Sequence, residues 1–246
     1  MRKIYLTLCF AVAISNIQAQ NYGLIGNFKP NSKSLVLTAT NLNYCFSDIG
    51  GTTKQQVING LNNWDVLSSK YLVSLGFRQS FVNNIGYRVS VSYGNFTGDD
   101  KNAKNSARHF SFESRISSIN LLGEYTLLGG FHTNIYYPYS LYLFGGIGLC
   151  NSQATVKKDG IPIYEFPPNR PDDKIKLNET SFSLPYGFGY EYFISPRISI
   201  GAELMWNYAF NDFLDGISTV SSKKNDLLTS FSLTFSYKLS DSIIRL

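Results

Sequence analysis

Near the end of the chain apolar and polar residues alternate strictly: Phe231, Leu233, Phe235 and Tyr237 are interleaved with Ser230, Ser232, Thr234, Ser236 and Lys238. A period of two puts every apolar side chain on one face of a β-strand. The pattern recurs upstream in segments of about 10 residues parted by polar, turn-rich stretches, as in a transmembrane β-barrel whose strands face lipid on one side and a lumen on the other. Ile198, Ile200, Ala202, Leu204, Trp206, Tyr208 and Phe210 hold the even positions of one segment, and Phe182, Leu184, Tyr186, Phe188, Tyr190 and Tyr192 those of the segment before it. The four residues Ile194-Ser195-Pro196-Arg197 connect the two, which predicts a hairpin.

Further strands are marked by Leu141, Leu143, Ile147 and Leu149, by Tyr87, Val89, Val91 and Tyr93, and by Tyr71, Val73, Leu75 and Phe77. Gly145, Gly146 and Gly148 leave room for curvature or close packing in a narrow barrel. Two segments break phase. Residues 108–127 move from even apolar positions (Phe110, Phe112, Ile116) to odd ones (Ile119, Leu121, Tyr125, Leu127), which predicts a β-bulge near Ser117 or Ser118. Residues 35–46 pass from Leu35, Leu37 and Ala39 to Leu42, Tyr44 and Phe46 and form the least regular strand. The prediction is all-β: an eight-stranded antiparallel transmembrane β-barrel with a closed polar lumen.

Connection lengths alternate as such a barrel requires. Long, external loops are expected at 48–66, 98–107, 157–179 and 212–226, and short periplasmic turns at 80–85, 128–139 and 194–197. Both chain ends then lie in the periplasm. The loop 157–179 carries Pro162, Pro167, Pro168 and Pro171, which cannot extend a ladder, and is expected to be exposed and partly stiffened.

The start of the chain reads as a secretory leader, with Arg2 and Lys3 before an apolar run at 4–14 and a cleavage site after Ala19. Its apolar core is too short to span a bilayer as a helix. Cys9 lacks the lipoprotein context. The expected organisation is a leader at 1–19, a periplasmic segment at 20–33, the outer-membrane barrel at 34–239, and a tail at 240–246 that is either frayed or part of a periplasmic contact. Composition agrees, with 15% aromatic and only 16% charged residues. Removing the leader lowers the net charge from +5 to +3, too small and scattered for a nucleic-acid partner. The expected surroundings are outer-membrane lipids, with barrel-assembly machinery engaged during insertion.

Side-chain parity places Arg78, Arg88, Arg115 and Lys238 inside, with Glu113, Glu124, Glu191 and Glu203. Four positive groups meet four negative ones. Charges in a narrow interior must be paired, and eight strands enclose only enough space for side chains. This predicts an ion-paired core with no open pore.

Catalytic chemistry is poorly supported. His109 and His132 are the only histidines, and there is no cofactor motif or metal-ligand spacing. His109, with Ser106, Ser111, Asp99 and Asp100 near a strand end, resembles the rim of outer-leaflet acyl-transfer barrels, and any serine-rich rim would offer the same set. Gly98-Asp99-Asp100 and Asp212-Phe213-Leu214-Asp215-Gly216 lack the regular ligand spacing of a calcium loop. Cys45 and Cys150 fall on the first and fifth strands, diametrically opposed and about twice too far apart to bridge. They are free semi-buried thiols or thiols available to a partner protein.

Several segments carry a family likeness: Arg88-Val89-Ser90-Val91-Ser92-Tyr93-Gly94 followed by Gly98-Asp99-Asp100, Arg108-His109-Phe110-Ser111-Phe112-Glu113-Ser114, Leu141-Tyr142-Leu143-Phe144-Gly145-Gly146-Ile147-Gly148, and Leu184-Pro185-Tyr186-Gly187-Phe188-Gly189. Together they resemble the small outer-membrane β-barrels of the Bacteroidota, the family that includes PorG of the type IX secretion system. Asn211-Asp212-Phe213-Leu214-Asp215-Gly216 is similar to that family's Thr-Asp-Tyr-Leu-Asp-Asp loop, with Gly216 in place of the last acid. The resemblance implies a non-enzymatic component of the secretion machinery whose partners form a periplasmic lipoprotein ring of the PorK and PorN kind. An envelope-stability or surface-interaction barrel binding through its external loops is the alternative, and a lipid-modifying enzyme a third.

Overall fold

A computed structural model describes residues 32–46, 71–81, 84–100, 109–132, 135–166, 173–195, 197–218 and 225–241. The side chains at 41–46, 99, 130–137, 240 and 241 lie outside the description, as do the predicted leader and the whole of the 48–66 loop. Among the described residues eight long strands follow one another: β1 (Ser32–Phe46), β2 (Tyr71–Ser80), β3 (Ile85–Asp99), β4 (Phe110–His132), β5 (Ile135–Lys158), β6 (Asn178–Phe193), β7 (Ile198–Ala209) and β8 (Leu227–Asp241). Each pairs antiparallel with its neighbours in sequence, and β1 pairs with β8 to close the barrel. Closure leaves no edge strand among the eight to invite pairing with another chain.

Side-chain alternation works as the apolar pattern requires. On β8 Phe231, Leu233, Phe235 and Tyr237 point outward, while Ser230, Ser232, Thr234, Ser236 and Lys238 are buried in the lumen. Outward leucines, valines and aromatics form a continuous apolar band, with Tyr71, Tyr93, Tyr186 and Trp206 toward the loop end and Tyr125, Tyr190, Tyr192 and Tyr237 toward the turn end. Water would not tolerate such an exterior; lipid does.

The two phase breaks have different origins. On β1 the ladder with β8 slips by one residue, from Ala39↔Leu233 to Leu42↔Phe231, a true bulge. The Thr40 hydroxyl donates to the Phe231 carbonyl at that point. On β4 the predicted bulge is absent: Ser117 and Ser118 sit in unbroken register with β3 (Tyr93, Ser92) and β5 (Asn151, Cys150). Even residues of β4 face inward as far as Thr126. Phe110, Phe112 and Ile116 are buried within the loop end, and Ile119, Leu121 and Tyr125 are exposed on the band below. What inverts is the polarity of the two faces. Below Ser118 this strand is apolar outside and, apart from Leu122, polar inside. Above Ser117 it is polar outside and apolar inside, as in a water-soluble barrel.

That inversion corrects two lumen assignments. Glu113 and Arg115 have odd parity and are exposed on the outer face above the band, where Glu113 accepts a hydrogen bond from Asn95 Nδ2 at 3.0 Å. One acid and one base leave together, so the balance of the interior survives as three positive groups against three negative.

Loop geometry also departs from expectation. At the turn end β4 and β5 stay paired as far as His132↔Ile135, with register shifts at Thr126/Leu128 and Gly129/Phe131, so the predicted 128–139 turn is mostly ladder. At the loop end β5 runs on to Lys158, and Asp159 (φ 51°) with Gly160 (φ 81°) makes a two-residue hairpin turn into Ile161-Pro162. Pro162 does not stop that ladder: Ile163 N, one residue on, donates to Val156 O at 2.9 Å. Pro167, Pro168 and Pro171 lie outside the described residues.

Candidate functional site: the filled lumen

The lumen is occupied in layers. Toward the turn end lies an ionic floor built from β2 through β7. Arg78 and Arg88 are direct cross-strand partners on β2 and β3, a like-charge juxtaposition that destabilises a sheet unless countered. Three carboxylates counter it. Arg78 Nη1 donates to Glu191 Oε2 at 3.0 Å and Arg88 Nη1 to Glu203 Oε1 at 2.7 Å. Glu124 lies between them, its oxygens 2.7 Å from Arg78 Nε and 2.9 Å from Arg88 Nε. Both Nε contacts fall outside hydrogen-bond angles, so they bind by charge rather than by direction. Arg78 Nη2 also comes within 3.8 Å of Glu203.

The guanidiniums are held from the other side by aromatic faces. Arg78 stacks over the Tyr142 ring at 4.9 Å and Arg88 over Phe144 at 5.2 Å. Tyr142 OH donates to Glu203 Oε1 at 2.6 Å, and Ser199 Oγ donates to Glu191 Oε1. The two rings have space because their cross-strand partners on β6 are glycines, Tyr142↔Gly189 and Phe144↔Gly187. A Cβ on Gly189 would lie 2.3 Å from Tyr142 Cζ, and one on Gly187 2.8 Å from Phe144 Cζ. Lys238 faces inward on β8, buried and paired in register with Ser34, whose β2 partner is Arg78. It is the third positive group.

The loop end is roofed by an apolar cluster. Phe96, Phe110, Phe112, Ile116, Cys150, Val156, Ala209 and Leu228 line the wall, and Leu214 and Ile217 enter from the β7–β8 loop. Phe112 lies over Gly98 as the floor aromatics lie over theirs. Ile163, Phe166, Ile175 and Leu177 pack on from the β5–β6 loop, so the described parts of that loop fold over the barrel. Ile217 pairs with Ile175, and Leu177 O accepts from Ala154 N at 2.7 Å, which ties both loops to the wall.

Several sequence candidates take structural roles here. Asp215 Oδ1 accepts from Ile217 N at 3.0 Å and Asp226 Oδ2 from Leu214 N at 2.7 Å, so these acids hold the plug segment by its backbone. Gly216 has φ 87° and its missing Cβ would fall 2.8 Å from Ala154 Cβ, which accounts for glycine at that place in the loop. Cys150 is 2% exposed within the roof, which corrects its reading as a thiol within reach of a partner. Cys45 stands opposite Leu228 in the ladder, and its side chain lies outside the description. His109 is exposed whereas Asp100 is fully buried, so the structure does not bring them together on one surface; Ser106 lies outside the described residues. Sequence reasoning misses Tyr142, Phe144 and their glycines. The signal is present as Tyr142 and Phe144 on the polar parity of β5.

No protein-family model matches the chain, and no curated protein matches it in sequence. Among solved structures it is similar to Ail, the attachment invasion locus protein of Yersinia pestis, at 14% identity and a TM-score of 0.46, over 86% of this chain and 100% of Ail. It is likewise similar to Neisserial surface protein A at 16% identity and a TM-score of 0.41, over 86% of this chain and 100% of that one. A major outer membrane protein from Thermus thermophilus is similar at 12% identity and a TM-score of 0.48, over 85% of this chain and 99% of that one. The closed eight-stranded architecture rests on the hydrogen-bond ladder of this chain.

Proposed function

We propose that the chain is an outer-membrane β-barrel that acts as a non-enzymatic, non-conducting scaffold, and that it anchors the periplasmic lipoprotein ring of a type IX secretion machine. The observation that carries this reading is the filled lumen. An ion-paired floor below an apolar roof leaves the two ends and the outer surface for work. The family likeness supports the finer assignment: Leu141–Gly148 and Leu184–Gly189 supply the ring-over-glycine pairs of the floor, and Asn211–Gly216 supplies the plug turn. In this reading the termini and short turns face the periplasm, where a PorK- or PorN-like ring would meet the β4–β5 hairpin end and the turn at Ser195. A clean deletion should abolish secretion of C-terminally tagged cargo, and crosslinking in outer membranes should capture a periplasmic lipoprotein. Normal cargo secretion in the deletion strain would refute the assignment.

A second reading, an envelope or surface-interaction barrel, is favoured by one observation: the wall continues above the apolar band with polar outward residues such as Arg115, Gln153 and Asn178. Replacing residues 159–176 with a short hairpin separates the readings, because an anchor tolerates the change and a surface binder does not.

A further inference from the structure

Between the ionic floor and the apolar roof lies a layer of a different kind. Its inward positions are mostly small or polar: Ser90, Ser92, Asn120, Gly148, Ser183, Asn207, Ser230 and Ser232. An eight-stranded barrel has just enough interior for ordinary side chains to fill. The floor uses two arginines, three glutamates and two aromatic rings to do so, and serine and glycine are much smaller.

Four side-chain polar atoms in this layer have no hydrogen-bond partner in the protein: Asn120 Oδ1, Ser183 Oγ, Asn207 Oδ1 and Ser230 Oγ. Their residues are 3%, 1%, 5% and 0% exposed. They form one arc along the wall from β4 to β8. Asn120 and Ser183 both pair with Gly148, and their unpartnered oxygens converge over it, within 2.2 and 2.9 Å of where a Cβ would stand. Ser183 and Asn207 are diagonal neighbours on β6 and β7, because Ala209 pairs with Ser183 and Asn207 with Pro185. Asn207 and Ser230 are diagonal neighbours on β7 and β8 in the same way. Diagonal partners in a sheet stand about 7–8 Å apart, and inward side chains that lean toward each other across that spacing leave a gap that one water molecule, reaching about 5.5 Å with two hydrogen bonds, can close.

We propose that this arc is a binding site for an enclosed cluster of water molecules, sealed between floor and roof. A buried polar atom left without a partner is costly, and native proteins meet that cost with ordered water making about three hydrogen bonds. Neutral water fits better than an ion. The four atoms carry no formal charge, the buried acid on the roof side of Asn207, Asp226, is engaged by Leu214 N, and the floor's carboxylates are already engaged by Arg78, Arg88, Tyr142 and Ser199. An ion there would give up its hydration for neutral dipoles alone. Exchange with bulk then requires the roof or the floor to open, so these waters reside far longer than surface water.

The test uses the full mature barrel folded in lipid nanodiscs and oxygen-17 magnetic relaxation dispersion, which reads water oxygen directly and is blind to exchanging hydroxyl protons. The expected result is a dispersion step from at least two long-lived waters, reduced in Asn120→Leu/Ser183→Val, which fills the space over Gly148. If that variant does not fold, Asn207→Leu/Ser230→Val tests the other half of the arc. A wild-type barrel with no dispersion step, or a step of unchanged amplitude in a folded filled variant, overturns the proposal.

Discussion

Neutralising one carboxylate of the ionic floor measures what holds the barrel shut. Glu203→Gln keeps the shape of the side chain and removes its charge, leaving three positive groups against two negative in a site where Arg88 is 3% exposed. The carboxylate lies 2.7 Å from Arg88 Nη1 and 3.8 Å from Arg78 Nη2, and receives the Tyr142 hydroxyl at 2.6 Å. Unit charges about 4 Å apart interact by about 4 kcal/mol at an effective dielectric of 20. The amide oxygen still accepts one hydrogen bond, worth about 1 kcal/mol net, which leaves an expected loss of about 3 kcal/mol. Removing one partner of a buried pair costs about 3–5 kcal/mol in general. The assay is urea unfolding in lipid vesicles followed by tryptophan fluorescence, with Glu113→Gln on the exposed outer face as the control. That control should move by less than about 0.5 kcal/mol. The double variant Arg88→Gln/Glu203→Gln restores neutrality and should lose less than the sum of the two single changes. A Glu203→Gln barrel no less stable than the Glu113→Gln control, or strict additivity in the double variant, would refute the ion-paired floor.

Gly189→Ala forces the Tyr142 ring off its seat and should cost about 1–3 kcal/mol by the same assay, whereas Gly123→Ala, whose Cβ would meet nothing nearer than 3.7 Å, should change stability by less than about 0.5 kcal/mol. In a Cys45→Ser background Cys150 should stay unlabelled by a maleimide until the barrel is unfolded in denaturant; rapid labelling of the folded form would contradict the packed roof. Spin labels at 113 and 115 should be reached by a water-soluble nickel reagent and those at 119 and 121 by oxygen, and a crossover anywhere but between 115 and 119 would misplace the lipid boundary.

The strand count, the closed ladder and the parity of six of the eight strands are legible from alternation alone, because lipid outside and polar packing inside leave a period-2 record. The phase breaks are not. On β1 and β4 the same sequence signal, an apolar set that moves from one parity to the other, arises from an extra residue in one case and a change of solvent in the other. Nothing local distinguishes them; only the partner strands do. The polarity of β5 inverts at Leu149/Cys150 beside β4, whereas β8 runs unbroken against β7 where β1 slips against it. Parity and charge are enough to find Arg78, Arg88, Glu124, Glu191, Glu203 and Lys238, while Glu113 and Arg115 are misplaced by counting parity through a bulge that does not exist. The hairpin at Asp159-Gly160 is legible in its dipeptide and obscured by the proline two residues later.

The unbroken register of β4 through the polarity inversion has a mechanical meaning. From Phe110 to Thr126 its ladders with β3 and β5 contain no slip, so this side of the wall, unlike β1 with its bulge at Ala39/Leu42, has no hinge between the part that stands in water and the part that stands in lipid. A push or pull on the part that stands in water would be delivered as rigid tilt to the spanning wall and on to the opposite rim. The first compliance along β4 comes at Thr126/Leu128, below the floor, where the β4–β5 hairpin shifts register twice. A load applied from one side of the membrane would therefore be felt at the far end as a reorientation of that hairpin, with the lumen's packing left intact.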